Sequence, residues 1–187
     1  DQGRLGKLYA IEAVFHNAYG PDKPWFYRRS ESGGGCLLDL GIHLVDLAMW
    51  CAGFPAFCAG HAIFRNGDGD DPVEDHATAL VEFERGIALQ LACSWRAPAG
   101  CDADISLRIF GSDGGASFRN ANGSFMDFTA ELLGKDRSRT IVAAPPDDWS
   151  GRAAIAWAEQ LATSAAYDPS VETAVAVAQV LDSLYAS

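Results

Sequence analysis

Between Cys36 and Cys51 the chain carries CLLDLGIHLVDLAMWC, which reads as one helix that is apolar over most of its circumference. Such a helix cannot lie on a surface; it needs a second layer to bury it. At about 100° per residue its polar groups gather in one stripe, with Asp39, His43, Asp46 and Trp50 within roughly 60° of one another. Leu37, Leu38, Ile42, Leu44, Val45, Leu47 and Met49 fill the rest. Spacing alone allows the stripe simply to face water, but its setting adds chemistry. Gly33 to Gly35 stand directly before it and remove side chains at the helix entrance, where free N–H groups and the positive end of the dipole can receive an anionic or hydroxylated ligand. Asp39 sits one turn before His43, close enough to interact with its imidazolium, and a histidine so placed serves as a general base near neutral pH.

The layer that buries this helix is legible on either side of it. Residues 8 to 16 alternate in the strand period, with Tyr9, Ile11, Ala13 and Phe15 on one face and Glu12 and His16 on the other. A loop over 18 to 35, rich in turn formers and in Trp, Tyr and Arg, leads to the glycines. Further strands are expected at 56 to 65, 76 to 83, 87 to 95, 104 to 110 and 115 to 119, and their short turns read as an antiparallel meander. One alternate set is aliphatic (Ala77, Ala79, Val81, Phe83; Ile87, Leu89, Leu91; Ile105, Leu107, Ile109), the other small or polar (Thr78, Glu82, Gln90, Ser94, Ser106, Arg108). After a less regular stretch come two helical patterns, 151 to 166 and 169 to 186, the second with Asp168 as N-cap and Pro169 in its first turn. The expectation is an α+β fold in one domain over 1 to 187, including those last helices: a mostly antiparallel, open-faced sheet with helices packed on one face. The other face is left to water or another subunit.

Charge and cysteine usage narrow the partners. With 14 basic against 25 acidic residues the net charge is −11, which disfavours nucleic acid and anionic membrane surfaces. No apolar run reaches the ~20 residues of a membrane span. Cys36, Cys51, Cys58, Cys93 and Cys101 are scattered without a CxxC spacing, which predicts free thiols in a reducing, cytoplasmic setting. No metal site is expected: NGDGDDPVED (66 to 75) has Asp71 where a calcium loop needs glycine, and His43, Asp39 and a third ligand such as His16 place only two zinc ligands on the helix. The serines lack a G-x-S-x-G context. The sequence starts at Asp1 without an initiator Met or leader, so it is expected to be a piece of a longer protein.

The pattern GGG-x-L-x-D-x-G-x-H-x-x-D, Gly33 to Asp46, resembles the opening of the active-site helix in the C-terminal domain of the Gfo/Idh/MocA oxidoreductases. The likeness extends through GRLGKLYAIEAVF, KPWFYRR, VEDHATALVEFERGIALQLACSW, DISLRIFGSDGGASF and VETAVAVAQVLDSLY, in the family's order. The resemblance implies a domain like the C-terminal domain of glyceraldehyde-3-phosphate dehydrogenase. It also implies a dehydrogenase acting on a sugar, polyol or related hydroxyl compound, with NAD or NADP held mainly by a preceding Rossmann domain. His43 would take the proton from the reacting hydroxyl, and Asp39 would orient His43 or bind a neighbouring hydroxyl, lining a pocket at the junction with that domain. Within the family, a non-catalytic sugar-binding or regulatory protein and an NAD-dependent glycoside-cleaving enzyme are the alternative readings. This chain contains neither G-x-G-x-x-G after a strand nor the family's Glu-Lys-Pro, so by itself it is expected to be inactive.

Substrate contacts are expected from His16, Trp25, Arg28 and Trp95. His16 ends a polar strand face whose loop leads to the glycines, with a surface histidine as the plainer reading. Trp25, Tyr27, Arg28 and Arg29 suit a sugar face and its hydroxyls, a phosphate or a carboxylate, or simply a structured loop. Trp95 and Arg96 end a strand where the family often places a pocket residue, with a core tryptophan as the plainer reading. A homo-oligomer through the open sheet face is the expected assembly.

Overall fold

A computed structural model of the chain describes residues 3–187; Asp1 and Gln2 lie outside them. The strands are β1 (Leu8–Asn17), β2 (Phe57–Asn66), β3 (Glu74–Phe83), β4 (Ile87–Ser94), β5 (Ala103–Gly111), β6 (Gly114–Asn120), β7 (Phe128–Gly134) and β8 (Arg139–Ala143). They form one sheet in the order β2-β3-β4-β1-β5-β6-β7-β8. Every pairing is antiparallel except β1 with β4, which runs parallel from Ala10 opposite Ala88 to His16 opposite Ser94.

Two features depart from the sequence reading. The meander is interrupted, because β1 inserts between β4 and β5. A parallel neighbour needs a long crossover: residues 18 to 56 with their helices carry the chain from β1 to the edge strand β2, and β2, β3 and β4 then step back to lie beside β1. The stretch after β6 adds β7 and β8. All five residues of β8 are exposed, which removes the alternation by which a strand is recognised in sequence.

Helix α1 (Arg29–Ser32) is a single turn. A π turn over Leu37–Gly41 then runs into α2 (Ile42–Ala52). Late in the chain come α3 (Arg152–Thr163) and a 3-10 turn, Pro169–Val171, leading into α4 (Glu172–Tyr185). Asp168 caps that turn as expected, its carboxylate accepting from the Ser170 N–H at 2.9 Å. Helices α2 and α4 pack on one face of the sheet. Leu37, Leu44, Val45, Ala48 and Met49 meet Leu89, Leu91 and Val81 there, with Val177, Val180, Leu181 and Leu184 alongside. Each of the Leu, Val and Met side chains contributes about 1.5–3 kcal/mol on burial. Helix α3 has no buried residue, so only two of the helices cover the apolar face.

On the opposite face Thr78, Glu82, Gln90 and Arg108 are exposed. Ser94 departs from the expected pattern and is buried at 5% exposure, beneath His16. Ile105, expected among the core set, is half-buried. Residues 29 to 52 have the length and hydropathy of a membrane span, but 56% of the most apolar window is buried inside this chain, as a core helix requires.

Candidate functional site

The helix bearing Asp39 and His43 begins irregularly. The Ile42 N–H donates to the Leu37 carbonyl, an i→i−5 bond, so the predicted uniform helix contains one wide turn. Such turns recur at functional positions because they displace a residue from the regular helical register. Beyond it the stripe stands as the spacing predicted: His43, Asp46 and Trp50 are exposed, while Leu44, Val45, Ala48 and Met49 are buried beneath them.

The entrance to the helix is already filled. Glu74 Oε1 accepts from the N–H groups of Gly35 at 2.9 Å and Leu37 at 3.0 Å, and from the Tyr185 hydroxyl at 2.7 Å. A Cβ on Gly35 would lie 2.0 Å from the Glu74 carbonyl oxygen, and one on Gly34 would lie 2.3 Å from the Tyr185 hydroxyl. Gly34 and Gly35 therefore make room for these two residues, which corrects the expectation that the glycines open the helix start to a ligand. The same amides would be the natural seat of a dinucleotide's phosphates. With Glu74 on them, this helix start does not fit that group.

Asp39 is half-buried, and its Oδ2 accepts from the indole N–H of Trp95 at 2.9 Å. Trp95 is only 2% exposed, so it acts as a core tryptophan with one polar bond. Tyr27 and Phe26 meet its ring edge-on, with centroids 5.5 and 6.4 Å away, and Trp25 stacks on Phe26 at 3.9 Å. The 3-10 turn Pro24–Tyr27 is thus anchored behind Asp39. Trp25 remains exposed, and Arg28 is engaged by Glu31, with Nη2 donating to Oε2 at 2.8 Å. The His43 ring lies 6.3 Å from Phe15 and is exposed, so this chain by itself does not enclose it.

His16 is separated from this group. Phe15 faces the helices, so the next residue points to the opposite face of the sheet. There His16 Nδ1 lies 2.6 Å from Ser94 Oγ and its ring stacks on His76 at 6.1 Å. Burial, then His76, hold its pKa below the usual histidine range, against the opposing pull of Asp104. The structure therefore brings Asp39, Trp95 and the Pro24–Tyr27 turn together, leaves His43 four residues further along the helix against Phe15, and puts His16 on the other face of the sheet.

Cys36 and Cys93 meet beneath the helix start with sulfurs 3.9 Å apart, and their hydrogen bonding and burial push the Cys36 thiol well above its ordinary pKa. All five cysteines are free. Among the described residues no three His, Cys, Asp or Glu side chains converge as a metal site would require.

Glu74 is what the sequence reading missed. Strand alternation puts it with Thr78 on the open face, but the β2/β3 register slips by one residue between Arg65 and Asn66, leaving Asp75 as the extra residue on β3. Such a bulge re-aims the side chain beside it. The one available signal was an acid immediately before the strand's alternating run.

The family model described as GFO/IDH/MocA C-terminal domain matches residues 1–117. The chain belongs to that family. It is 30% identical over 146 residues to D-glucoside 3-dehydrogenase of Escherichia coli (strain K12), a match covering 70% of this chain and 41% of that protein. Among solved structures it is similar to GenD2 from gentamicin A biosynthesis in complex with NAD, at 25% identity and a TM-score of 0.71, over 100% of this chain and 55% of that one. Levoglucosan dehydrogenase in complex with NADH and levoglucosan shares the fold, with a TM-score of 0.78 at 19% identity, over 100% of this chain and 58% of that one. This chain thus spans roughly two-fifths to three-fifths of the length of these relatives.

Proposed function

We propose that this chain is the substrate domain of an NAD- or NADP-dependent oxidoreductase acting on a sugar, polyol or related hydroxyl compound. The observation that carries the reading is the outward stripe on an otherwise clamped helix: Asp39 is fixed by Trp95, and His43 stands exposed one turn on. In this reading His43 accepts the proton of the substrate hydroxyl while the hydride on the same carbon leaves to a nicotinamide held by a preceding Rossmann domain. That domain supplies the wall that His43 lacks here, and closing it excludes water from the proton transfer. Asp39, already engaged by Trp95, binds a neighbouring hydroxyl, and Trp25, which is exposed, offers an aromatic face to the sugar ring. The names of the relatives support the substrate class, since one is D-glucoside 3-dehydrogenase and another is levoglucosan dehydrogenase, solved with NADH and levoglucosan.

The test is turnover by the full-length protein, screened against sugars and polyols with each coenzyme and read as formation of the reduced nicotinamide. His43→Asn should lower kcat about 100-fold or more, the scale of a lost general base. A wild type inert to every substrate, or a His43→Asn variant as fast as wild type, would overturn the reading.

The open sheet face is proposed to pair with a second copy. It carries Ile63 and Leu80, at 67% and 60% exposure, among polar neighbours. A monomer by sedimentation of the full-length protein would remove that part. Free, partly buried thiols accord with a reducing cytoplasm as the working compartment.

A further inference from the structure

Glu74 is buried to 0% exposure, yet the chemistry proposed above gives it no part. Taking a carboxyl group out of water is costly unless its oxygens are satisfied. Here one oxygen accepts three hydrogen bonds and the other none. Oε1 accepts the Gly35, Leu37 and Tyr185 bonds. Oε2 has no hydrogen-bond partner and lies 3.8 Å from the Arg29 guanidinium. The geometry is asymmetric towards the helix start, where the free amides and the positive end of the dipole favour a negative group.

Those amides belong to the residues that open the π turn, and Leu37 is two positions before Asp39. A slip of one residue in where this helix starts would rotate every following side chain by about 100°, taking Asp39 off the Trp95 indole and His43 off the outward stripe. The close approach of Gly35 to the Glu74 backbone leaves no room for an alternative seat. Tyr185 brings in α4 as a third support; burial, then Glu74, push its pKa far above the ordinary tyrosine range, which keeps the hydroxyl protonated and donating.

We infer that Glu74 is a positioning residue of the candidate site: by clamping the Gly35 and Leu37 amides it sets the register of the π turn and hence the aim of Asp39 and His43. The inference deepens the functional reading above and rests on it for its kinetic consequences. Glu74→Met keeps the side-chain length and removes the acceptor. In the full-length protein, assayed below the variant's melting temperature, kcat should fall at least about tenfold, as a small misplacement of a reacting group does. The KM for the coenzyme should stay within about twofold, because the coenzyme's domain is untouched. Glu74→Gln leaves an oxygen for the same three donors and should restore kcat to within about threefold of wild type. Because the effect passes through His43, Glu74→Met added to His43→Asn should cost no further activity, whereas an independent loss would multiply.

A folded Glu74→Met variant with wild-type kcat, or losses that multiply, would overturn the inference. If Glu74→Met does not fold, Tyr185→Phe removes one of the three bonds without changing the core volume. It should lower kcat a few-fold with the same lack of additivity, and an unchanged kcat would count against the clamp. If the wild type turns over no sugar or polyol, the functional reading fails separately, and the clamp is then read from amide hydrogen exchange across residues 40 to 45. Faster exchange in either variant supports it; unchanged exchange overturns it.

Discussion

The two ends of the sheet both carry apolar side chains and have different fates. Over β2, β3, β4 and β1, helices α2 and α4 close the face, and Val81, Leu89, Leu91, Val180 and Leu184 are each 0% exposed. Over β7 and β8, Ile141 and Val142 remain at 62% and 55% exposure. Helix α3 presents Ile155, Trp157 and Leu161 at 60%, 64% and 48%. An apolar residue stabilises only when something removes it from water, and a twelve-residue helix without tertiary packing is marginal. The anchors of the candidate site, Asp39 and Trp95, lie in the closed half, where packed neighbours hold them in one geometry.

The sharpest test of that contrast is truncation on each side. Leu91→Ala, beneath the closed half, should cost about 2–5 kcal/mol of unfolding free energy through lost burial and the cavity left behind. Denaturant midpoints measure it, and a cost below about 1 kcal/mol would break the comparison.

A smaller effect is expected where the closed half meets the open face of the sheet. Folding lowers the His16 pKa through burial and His76, so in that range the unfolded chain binds more protons than the folded one. Stability should therefore be greatest above the unfolded value of about 6.5 and decline as pH falls through it, until the folded form is also protonated. Chemical unfolding of wild type and His16→Asn between about pH 7.5 and 5.5 reads this directly, and the variant should show the flatter profile. The smallest change is expected on α3: Leu161→Ala should stay within about 0.5 kcal/mol, as exposed substitutions do. A larger loss would mean that α3 is covered in solution.

How far the sequence carries depends on whether a property is periodic or relational. The strands from 8 to 119 and the outward stripe of Asp46 and Trp50 were readable because alternation and helical spacing repeat locally. Trp95 was placed at the end of the right strand, which it directly follows, but its bond to Asp39 was invisible, since the two are 56 positions apart. His16 was drawn towards the glycines by sequence proximity, whereas a one-residue step from Phe15 sends it through the sheet to the other face.

By itself the sequence determined that this chain must build an open sheet under an apolar helix, and that His43, Asp46 and Trp50 would lie on that helix's outward stripe. Burial preference and side-chain period act residue by residue, so they leave a trace that can be read in order. The tertiary structure alone decided that β1 lies between β4 and β5 and that a bulge turns Glu74 into the helix start. It also decided that Gly35 makes room for the Glu74 backbone and Gly34 for the Tyr185 hydroxyl. These are contacts between distant segments, and their energies exist only once the chain has closed on itself.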